Sequence, residues 1–260
     1  METNRIKYDF SDEVVLITGA GQGIGEATSR AFAKAGARVV LVDKNKELLK
    51  KVKEKLEIEF GQARFLDLQV DISSPDRVRE MVETVIARFG KIDILFNNAG
   101  VARRGLIENA TYEDFRFLMG VNLDGAFLVA QAVGKEMIKR KKGRIINNTS
   151  ISGFVVNKGR QNGIYCASKA GLIMLTKAMA VEWIKHNVVV NAIAPGYTRT
   201  PINAGMVDDE ETSKEFIDTL PIGRFAQPEE MAAAVLYLAS QDTTFIVGEI
   251  LRVDGGFSIW

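Results

Sequence analysis

Two side chains that could transfer a proton stand four residues apart, Tyr165 and Lys169. If this stretch is helical, one turn places the phenol and the ammonium on the same face. A positive charge within about 4 to 6 Å favours the phenolate, so we expect Lys169 to lower the pKa of Tyr165 towards the range of general acid–base catalysis. The alternative is a half-buried tyrosine beside a solvated lysine on an ordinary helix.

A glycine-rich loop near the N-terminus predicts a nucleotide site. The apolar run Val14–Thr18 is followed by the loop 19–25 (GAGQGIG) and then by helical sequence that ends at Gly36. Glycine lets the backbone approach a pyrophosphate closely, and the N-terminus of the following helix attracts its charge. A Walker A loop would require Lys where Glu26 stands, so the dinucleotide interpretation is the better one.

Asp43 is the acid predicted to select the cofactor, at the end of a second buried-type strand over Arg38–Asp43. It lies about 20 residues beyond the glycines, where a ribose-binding carboxylate is expected. A 2′-phosphate at this position would meet a like charge, so we predict NAD in preference to NADP, although Lys44 follows directly. The alternative is a turn-forming Asp after a strand.

The rest of the chain alternates strands and helices. Further strands are predicted at 64–71, 92–96, 144–150 and 188–194, and helices at 45–60, 73–89, 111–139 and 164–185. This alternation implies a single α/β domain over 1–260, a Rossmann-type doubly wound parallel sheet with helices on both faces and a ligand crevice at the carboxyl ends of the strands. Asn122 falls inside an apolar helix face, where a neighbouring backbone group normally satisfies it or the helix bends.

Composition narrows the class of partner. The 34 basic and 33 acidic residues give a net charge of +1, which provides no global field for nucleic acid or an anionic membrane. The single cysteine, Cys166, favours a reducing compartment. The N-terminus shows no apolar secretory segment, and the longest apolar run, 231–239, is too short to span a bilayer. We therefore predict a cytoplasmic protein with a small-molecule substrate, no nucleic-acid or membrane partner, and no metal site.

Several motifs, in this order and spacing, resemble those of the short-chain dehydrogenase/reductase family over nearly the whole chain. They are Thr18-Gly19-x-x-x-Gly23-x-Gly25, Asn97-Asn98-Ala99-Gly100, Tyr165-x-x-x-Lys169, Pro195-Gly196 and Val253-Asp254-Gly255-Gly256, the last closing a seventh strand. The resemblance implies that Tyr165 exchanges a proton with the substrate oxygen. It further implies that Lys169 holds the nicotinamide ribose and lowers the tyrosine pKa, that a serine orients the carbonyl, and that Asn122 supports a water relay. The cofactor-binding residues that it implies are Gly19, Gln22, Gly23, Ile24, Gly25, Asp43, Asp71, Ile72, Asn98, Ala99, Gly100, Tyr165, Lys169, Pro195, Gly196, Thr198 and Thr200.

The catalytic serine has two candidates. The family's common spacing from Tyr165 selects Ser152, whereas alignment of the strand end selects Ser150. We favour Ser150, because strand ends are held rigidly while the following loop tolerates insertions.

Two kinds of feature bear on the substrate. The long segment 197–226 suits a substrate lid, with a surface loop carrying a short helix as the alternative. Polar and basic residues follow two of the strands, and they suit a polyhydroxylated or carboxylated substrate, since Arg binds a carboxylate bidentately. They are equally compatible with solvent-facing positions. These residues include Asn157, Lys158, Gln161 and Asn162, and the substrate-binding candidates are Arg103, Arg104, Ser152 and Arg160.

The motifs NNAGVARR, EWIKHNVVVNAIAPGY and LPIGRF also resemble the sugar-acid branch of the family, such as gluconate 5-dehydrogenase and 2-deoxy-gluconate 3-dehydrogenase. We predict reversible hydride transfer between NAD(H) and a secondary alcohol or ketone of a sugar acid, sugar or polyol. One alternative is a 3-oxoacyl-[acyl-carrier-protein] reductase. Another, of a different class, is a nucleotide-binding regulatory protein that has lost the chemistry. The resemblance also implies a homotetramer or homodimer, with the helices of Asn122 and Tyr165 packed across a dyad.

Overall fold

A computed structural model of the chain describes residues 6–156, 159–207 and 209–259. Its strands are β1 Val14–Thr18, β2 Arg38–Asp43, β3 Phe65–Gln69, β4 Ile94–Asn97, β5 Gly143–Asn148, β6 Val188–Pro195 and β7 Ile250–Val253. Over the described residues they form one parallel sheet in the order β3-β2-β1-β4-β5-β6-β7. The predicted Rossmann-type α/β fold is confirmed, and the seventh strand implied by the resemblance is present.

Several helices begin at a residue whose side chain caps the first turn. Asn45, Ser74 and Thr111 each accept a hydrogen bond from the backbone N–H three residues further on. Such caps satisfy a donor that the first helical turn leaves free. The helices are α1 Gly23–Lys34, α2 Lys46–Phe60, α3 Pro75–Phe89, α4 Tyr112–Met119, α5 Ala126–Arg140, α6 Gly163–Trp183, α7 Ala204–Val207, α8 Glu210–Ile217 and α9 Pro228–Ala239.

Apolar clusters cover both faces of the sheet. Successive side chains of β1 point to opposite faces, so Val15 and Ile17 pack with α1, α2 and α9, whereas Val14 and Leu16 pack with α3, α5 and α6. Strands buried on both faces read as continuous apolar runs, as β1 and β2 do. This double cover makes the sheet a rigid support for the loops at its carboxyl edge.

The order of strands reverses between β1 and β4, and the crevice lies there. The two segments that follow these strands are joined by hydrogen bonds. The Thr18 hydroxyl oxygen accepts from the backbone N–H of Asn98 at 2.9 Å and of Ala99 at 3.0 Å. The glycine loop and the Asn97-Asn98-Ala99-Gly100 segment are therefore fixed side by side.

The predicted helix over 111–139 is interrupted. A π-helical turn, Gly120–Gly125, separates α4 from α5 and carries Asn122. The expectation that a neighbouring backbone group satisfies Asn122 is confirmed, because its amide bonds both backbone groups of Val101. π-helical turns inside helices are frequent at functional sites.

Two stretches are long and apolar enough, by length and composition alone, to cross a membrane: Tyr112–Arg140 and Gly163–His186. The sequence-based expectation, which considered only the run 231–239, did not include them. Both stretches pack Val129, Val133 and Met179 against the sheet, as core helices of an α/β fold do. They are weak indications of a membrane span.

Candidate active site

A cavity of about 390 Å³ opens at the carboxyl edge of the sheet and contains most of the predicted site. Gly25, Asp71, Ile72, Asn122 and Gln161 lie outside its wall, and Asn157 and Lys158 lie outside the described residues. The predicted residues in the wall are Gly19, Gln22, Gly23, Ile24, Asp43, Asn98, Ala99, Gly100, Arg103, Arg104, Ser150, Ser152, Arg160, Asn162, Tyr165, Lys169, Pro195, Gly196, Thr198 and Thr200.

The glycine loop fits a dinucleotide pyrophosphate. A Cβ on Gly25 would lie 2.0 Å from the carbonyl oxygen of Gly19, so only glycine lets α1 pack this closely on the loop. Gly19 has a φ of 64°, and a Cβ there would lie 2.9 Å from Cα of Ala99. The N-cap residue of α1, Gln22, makes no side-chain cap hydrogen bond, which leaves N–H groups of the first turn for an anion.

Asp43 is held rigidly at one end of the cavity. Its Oδ2 accepts from the Gly21 N–H at 3.0 Å, and its Oδ1 accepts from the Asn45 N–H at 2.9 Å. Each carboxylate oxygen keeps a lone pair after these bonds. The carboxylate is thus oriented to accept hydrogen bonds from a ribose diol, which fits an adenine dinucleotide.

Tyr165 and Lys169 lie on one face near the start of α6, as their spacing predicts. The Lys169 Nζ is 5.7 Å from the centroid of the Tyr165 ring. It donates to the carbonyl oxygen of Asn148, at the end of β5, at 2.8 Å. Only 3% of Lys169 is exposed, and burial lowers the pKa of its ammonium to about 8.

The pKa of Tyr165 is shifted in the direction opposite to the one expected. Burial raises the pKa of the phenol above its usual value of 10.0, while the hydrogen bond with the Ser150 side chain opposes this shift. Among the charged groups, Arg160 lowers the Tyr165 pKa, and Lys169 is not among its causes. The predicted net lowering of the Tyr165 pKa is therefore wrong for this structure, because desolvation of the phenol dominates.

The two candidate serines differ in their hydrogen-bond partners. Ser150 lies two residues beyond the end of β5, and its side chain forms a hydrogen bond with Tyr165. Its Oγ also accepts from the Ser152 N–H at 3.1 Å, which fixes the following turn. The Ser152 side chain bonds the Cys166 thiol instead. Both serines are buried in the cavity wall, and Ser150 is the one beside the phenol.

Asn122 lies behind the cavity wall, fully buried. Its Oδ1 accepts from the Val101 N–H at 2.8 Å, and its Nδ2 donates to the Val101 carbonyl at 2.9 Å and to the Ser168 hydroxyl at 3.1 Å. A Cβ on Gly100 would lie 3.2 Å from Asn122 Oδ1 and 3.4 Å from Lys169 Nζ. The missing side chain of Gly100 thus leaves a gap between the amide and the ammonium.

Two of the arginines in the wall have described contacts. Arg103 forms an ion pair with Asp114 and lies 4.1 Å from the centroid of the Phe117 ring. Arg160 donates to the Asn203 side chain at 3.4 Å and lies 5.2 Å from the ring centroids of both Tyr197 and Phe216. Burial lowers the pKa of the Arg160 guanidinium. Arg104 is exposed and close enough to act on Arg160 electrostatically.

Known proteins share this architecture over almost the whole chain. A family model described as enoyl-(acyl carrier protein) reductase matches residues 19–258. A 3-oxoacyl-[acyl-carrier-protein] reductase from Thermotoga maritima is 40% identical over 248 residues, which is 95% of this chain and 98% of the relative. A galactitol 2-dehydrogenase from Cereibacter sphaeroides is 37% identical over 256 residues, 98% of this chain and 99% of the relative. A crystal structure of a gluconate 5-dehydrogenase from Burkholderia cenocepacia, in complex with NADP and tartrate, superposes with a TM-score of 0.91 at 36% identity and 98% coverage of both chains.

The chain belongs to the short-chain dehydrogenase/reductase family. It is an NAD(P)-dependent oxidoreductase that acts on CH–OH donors. The predicted family, reaction class and likeness to gluconate 5-dehydrogenases are confirmed.

Asn148 is one of the residues in the wall of this dehydrogenase site that sequence analysis did not name. The Asn98 Nδ2 donates both of its protons, to the Thr18 carbonyl at 2.9 Å and to the Gly19 carbonyl at 3.1 Å. The 2.8 Å contact between Asn98 and Asn148 must therefore be a hydrogen bond from the Asn148 Nδ2 to the Asn98 Oδ1. This orientation leaves the Asn148 Oδ1 buried with no hydrogen-bond partner among the described residues. A lone acceptor in the cavity wall fits a donor on a bound molecule. The sequence signal that could have identified Asn148 is the pair Asn147-Asn148, two polar residues at the end of an otherwise mostly apolar strand.

Backbone hydrogen bonds join the two ends of the segment 197–226 of this dehydrogenase. Ala226 donates its N–H to the Tyr197 carbonyl at 2.9 Å, and the Arg199 N–H donates to the Ala226 carbonyl at 2.9 Å. Between these bonds, Tyr197, Leu220 and Phe225 form an apolar cluster separate from those of the sheet. The segment therefore has a small apolar cluster of its own, and it contributes Thr198 and Thr200 to the cavity wall.

Proposed function

We propose that this protein is an NAD-dependent dehydrogenase that interconverts a secondary hydroxyl and a ketone on a sugar acid, with sugars and polyols as the wider substrate class. One observation carries the proposal. The Tyr165 phenol, bonded to Ser150, lies in the same cavity wall as Arg104 and Arg160. A proton-transfer group and cations that bind carboxylate thus face one space.

Each catalytic side chain has a role in this reaction. NAD, when bound, supplies the hydride acceptor. Tyr165 takes the proton of the substrate hydroxyl during oxidation and returns it during reduction, while Ser150 orients the substrate oxygen. Lys169, fixed by the Asn148 carbonyl, holds the nicotinamide ribose. Asn122 holds a relay water in the gap beside Gly100.

The preference for NAD rests on Asp43. Its carboxylate is fixed by two backbone N–H groups at the cavity wall, so it cannot easily turn away from a 2′-phosphate. Like charges in close contact cost several kcal/mol in order of magnitude. The complex of the Burkholderia cenocepacia relative contains NADP, and the proposal for this chain is the opposite preference.

The preference for an acidic substrate rests on the charge of the cavity. Its described wall carries one carboxylate, Asp43, and four cations, Arg103, Arg104, Arg160 and Lys169. Asp43 lies at the cofactor end and Arg103 is paired with Asp114, so Arg104 and Arg160 make the substrate end positive. A positive cleft concentrates anions, which favours an aldonate over a neutral polyol.

The second candidate is a 3-oxoacyl-[acyl-carrier-protein] reductase, favoured by the Thermotoga maritima relative. An acidic carrier protein would need an exposed basic surface, for which the run 139–144 is the sequence candidate. In the structure Lys139 pairs with Glu136, Arg140 pairs with Asp93, and Arg144 is buried. Only Lys141 and Lys142 of this described run remain as exposed cations outside these contacts, which makes the surface small.

Further parts of the proposal concern the whole chain. We infer that residues 1–260 form a single catalytic domain, that the segment 197–226 closes over the substrate as a lid, and that the protein is a cytoplasmic homotetramer or homodimer. The lid is supported by its joined ends and small apolar cluster. The assembly is supported by exposed apolar residues on α4, α5 and α6.

The function is tested by measuring turnover with NAD and NADP over a panel of aldonates, sugars, polyols and 3-oxoacyl thioesters. We expect NADH formation with an aldonate. A Tyr165→Phe variant should lose at least about 10²-fold in turnover while keeping NAD affinity. Selective turnover of an acyl thioester would favour the second candidate. Tight NAD binding without turnover of any compound would favour the non-catalytic alternative.

The substrate class is tested with Arg160→Gln. We expect at least a tenfold rise in KM for the aldonate, about what a charge-assisted hydrogen bond contributes, and little change for the polyol of the same chain length. Arg103→Gln is the matched control, because Arg103 is already paired with Asp114. An equal loss on acid and polyol would contradict recognition of the carboxylate.

A further inference from the structure

The residue after Asp43 is Lys44, and the structure shows which acidic residue its ammonium contacts. The Lys44 Nζ donates to the Oδ2 of Asp71 at 2.7 Å. Lys44 directly follows β2, and Asp71 lies two residues beyond the end of the neighbouring strand β3, with which β2 pairs up to Asp43 and Gln69. The parallel register of these strands therefore brings the cation and the acid together at the edge of the cofactor site.

Asp71 is well suited to hold this cation. Its other oxygen, Oδ1, accepts from the Ser73 N–H at 3.0 Å and from the Ser73 hydroxyl at 2.6 Å. The Lys44 and Ser73 hydrogen bonds lower the pKa of Asp71 to about 2, so the carboxylate is charged at neutral pH. The Lys44 backbone is also fixed, because its carbonyl accepts from the Gln69 side chain at 3.2 Å.

The position of Lys44 matters for the choice of cofactor. NADP differs from NAD by a phosphate on the 2′-oxygen of the ribose that Asp43 is placed to bind. A cation next to that oxygen would favour the phosphate, and Lys44 is the adjacent residue in the chain. The ammonium of Lys44 contacts Asp71 instead, and no cation among the described residues forms an ion pair with Asp43.

We propose that Asp71 is a cofactor-selectivity residue. It holds the Lys44 ammonium away from the ribose position beside Asp43, and so prevents this lysine from binding a 2′-phosphate there. The inference rests on the proposed role of Asp43 as the ribose-binding residue. Two separate effects then favour NAD over NADP: Asp43 repels the 2′-phosphate, and Asp71 holds the Lys44 ammonium away from it. The Lys44 side chain is 76% exposed, so the second contribution is the smaller and is screened by salt.

The test is a double-mutant cycle read by cofactor binding. Dissociation constants of NAD and NADP are measured by isothermal titration calorimetry for the wild type, Asp71→Asn, Lys44→Met and the double variant. We expect Asp71→Asn to improve the ratio of NADP to NAD affinity about fivefold at low salt, and this gain to disappear in the Lys44→Met background. Raising the salt should reduce the gain.

A neighbouring lysine provides the matched control. Lys46 is exposed, two residues further along the chain. The Asp71→Asn gain should persist when Lys46→Met is added. Equal changes in the affinities for NAD and NADP, or a gain that survives Lys44→Met, would overturn the proposal. A wild type that prefers NADP would instead contradict the proposed NAD preference, while the coupling of Asp71 with Lys44 would still be measured by the cycle.

Discussion

At the scale of single residues, burial sets the protonation of the proposed catalytic groups. Tyr165 has a raised pKa and Lys169 one lowered to about 8, so at neutral pH the phenol is neutral while the lysine is still mostly protonated. A neutral phenol is ready to give a proton to a ketone, and it must lose that proton before it can accept one from an alcohol. Alkaline pH should therefore favour the oxidative direction.

The lowered pKa of Lys169 predicts a pH-dependent stability. Below pH 8 the folded protein must bury the ammonium, which costs stability. Above pH 8 the folded state releases the proton while the unfolded state keeps it up to about 10.5, so stability rises with pH. Between pH 7.5 and 9.5, urea denaturation should show wild type gaining about 2 kcal/mol relative to Lys169→Met. A constant difference between the two proteins would show that the lysine is not titrating there.

The two serines give a matched pair of variants. Ser150→Ala removes the hydroxyl that bonds Tyr165, so turnover should fall by about 10² or more. Ser152→Ala removes a group that bonds the Cys166 thiol, and turnover should stay near that of the wild type. Measured kcat values decide between them. A dead Ser152→Ala beside an active Ser150→Ala would reverse the assignment.

At the scale of elements, close backbone contacts position the site. The glycine loop packs on α1 only because Gly25 has no side chain, and the π-helical turn between α4 and α5 brings Asn122 onto Val101. These contacts join the segments after β1 and β4 to helices on opposite faces of the sheet. The site thus inherits the rigidity of the sheet.

Gly25→Ala tests the loop contact. The new methyl would collide with the Gly19 carbonyl, and backbone at this position cannot move without shifting α1. We expect a loss of at least about 2 kcal/mol in the free energy of unfolding and loss of NAD binding. Gly120→Ala is the control, since a Cβ there meets nothing within 4 Å and its φ is −59°. Calorimetric melting and NAD titration of both variants provide the measurement.

At the scale of the whole molecule, apolar side chains remain exposed on the two long helical stretches. Phe115, Phe127, Met174 and Val181 are between 38% and 77% exposed. Met174 and Val181 stand seven residues apart on α6 and so share one face. An exposed apolar helix face of this kind is typical of an interface between subunits.

The proposed assembly predicts the effect of charge on this face. Met174→Glu with Val181→Glu should convert the oligomer to smaller species, because two carboxylates would be buried at the interface. Ile58→Glu on α2, where the side chain is 88% exposed, should leave the mass unchanged. Light scattering coupled to size-exclusion chromatography measures both. A monomeric wild type would contradict the assembly.

The sequence by itself determined the fold class, the family and most of the residues in the cavity wall. Strand runs such as Val14–Thr18, capping residues and glycines act locally, so their effect can be read without the rest of the chain. Only the tertiary structure decided the pKa direction of Tyr165, the pairing of Lys44 with Asp71 and the partner of Ser150. The reason is that burial and side-chain contact depend on residues far apart in sequence, which the parallel strands bring to one edge.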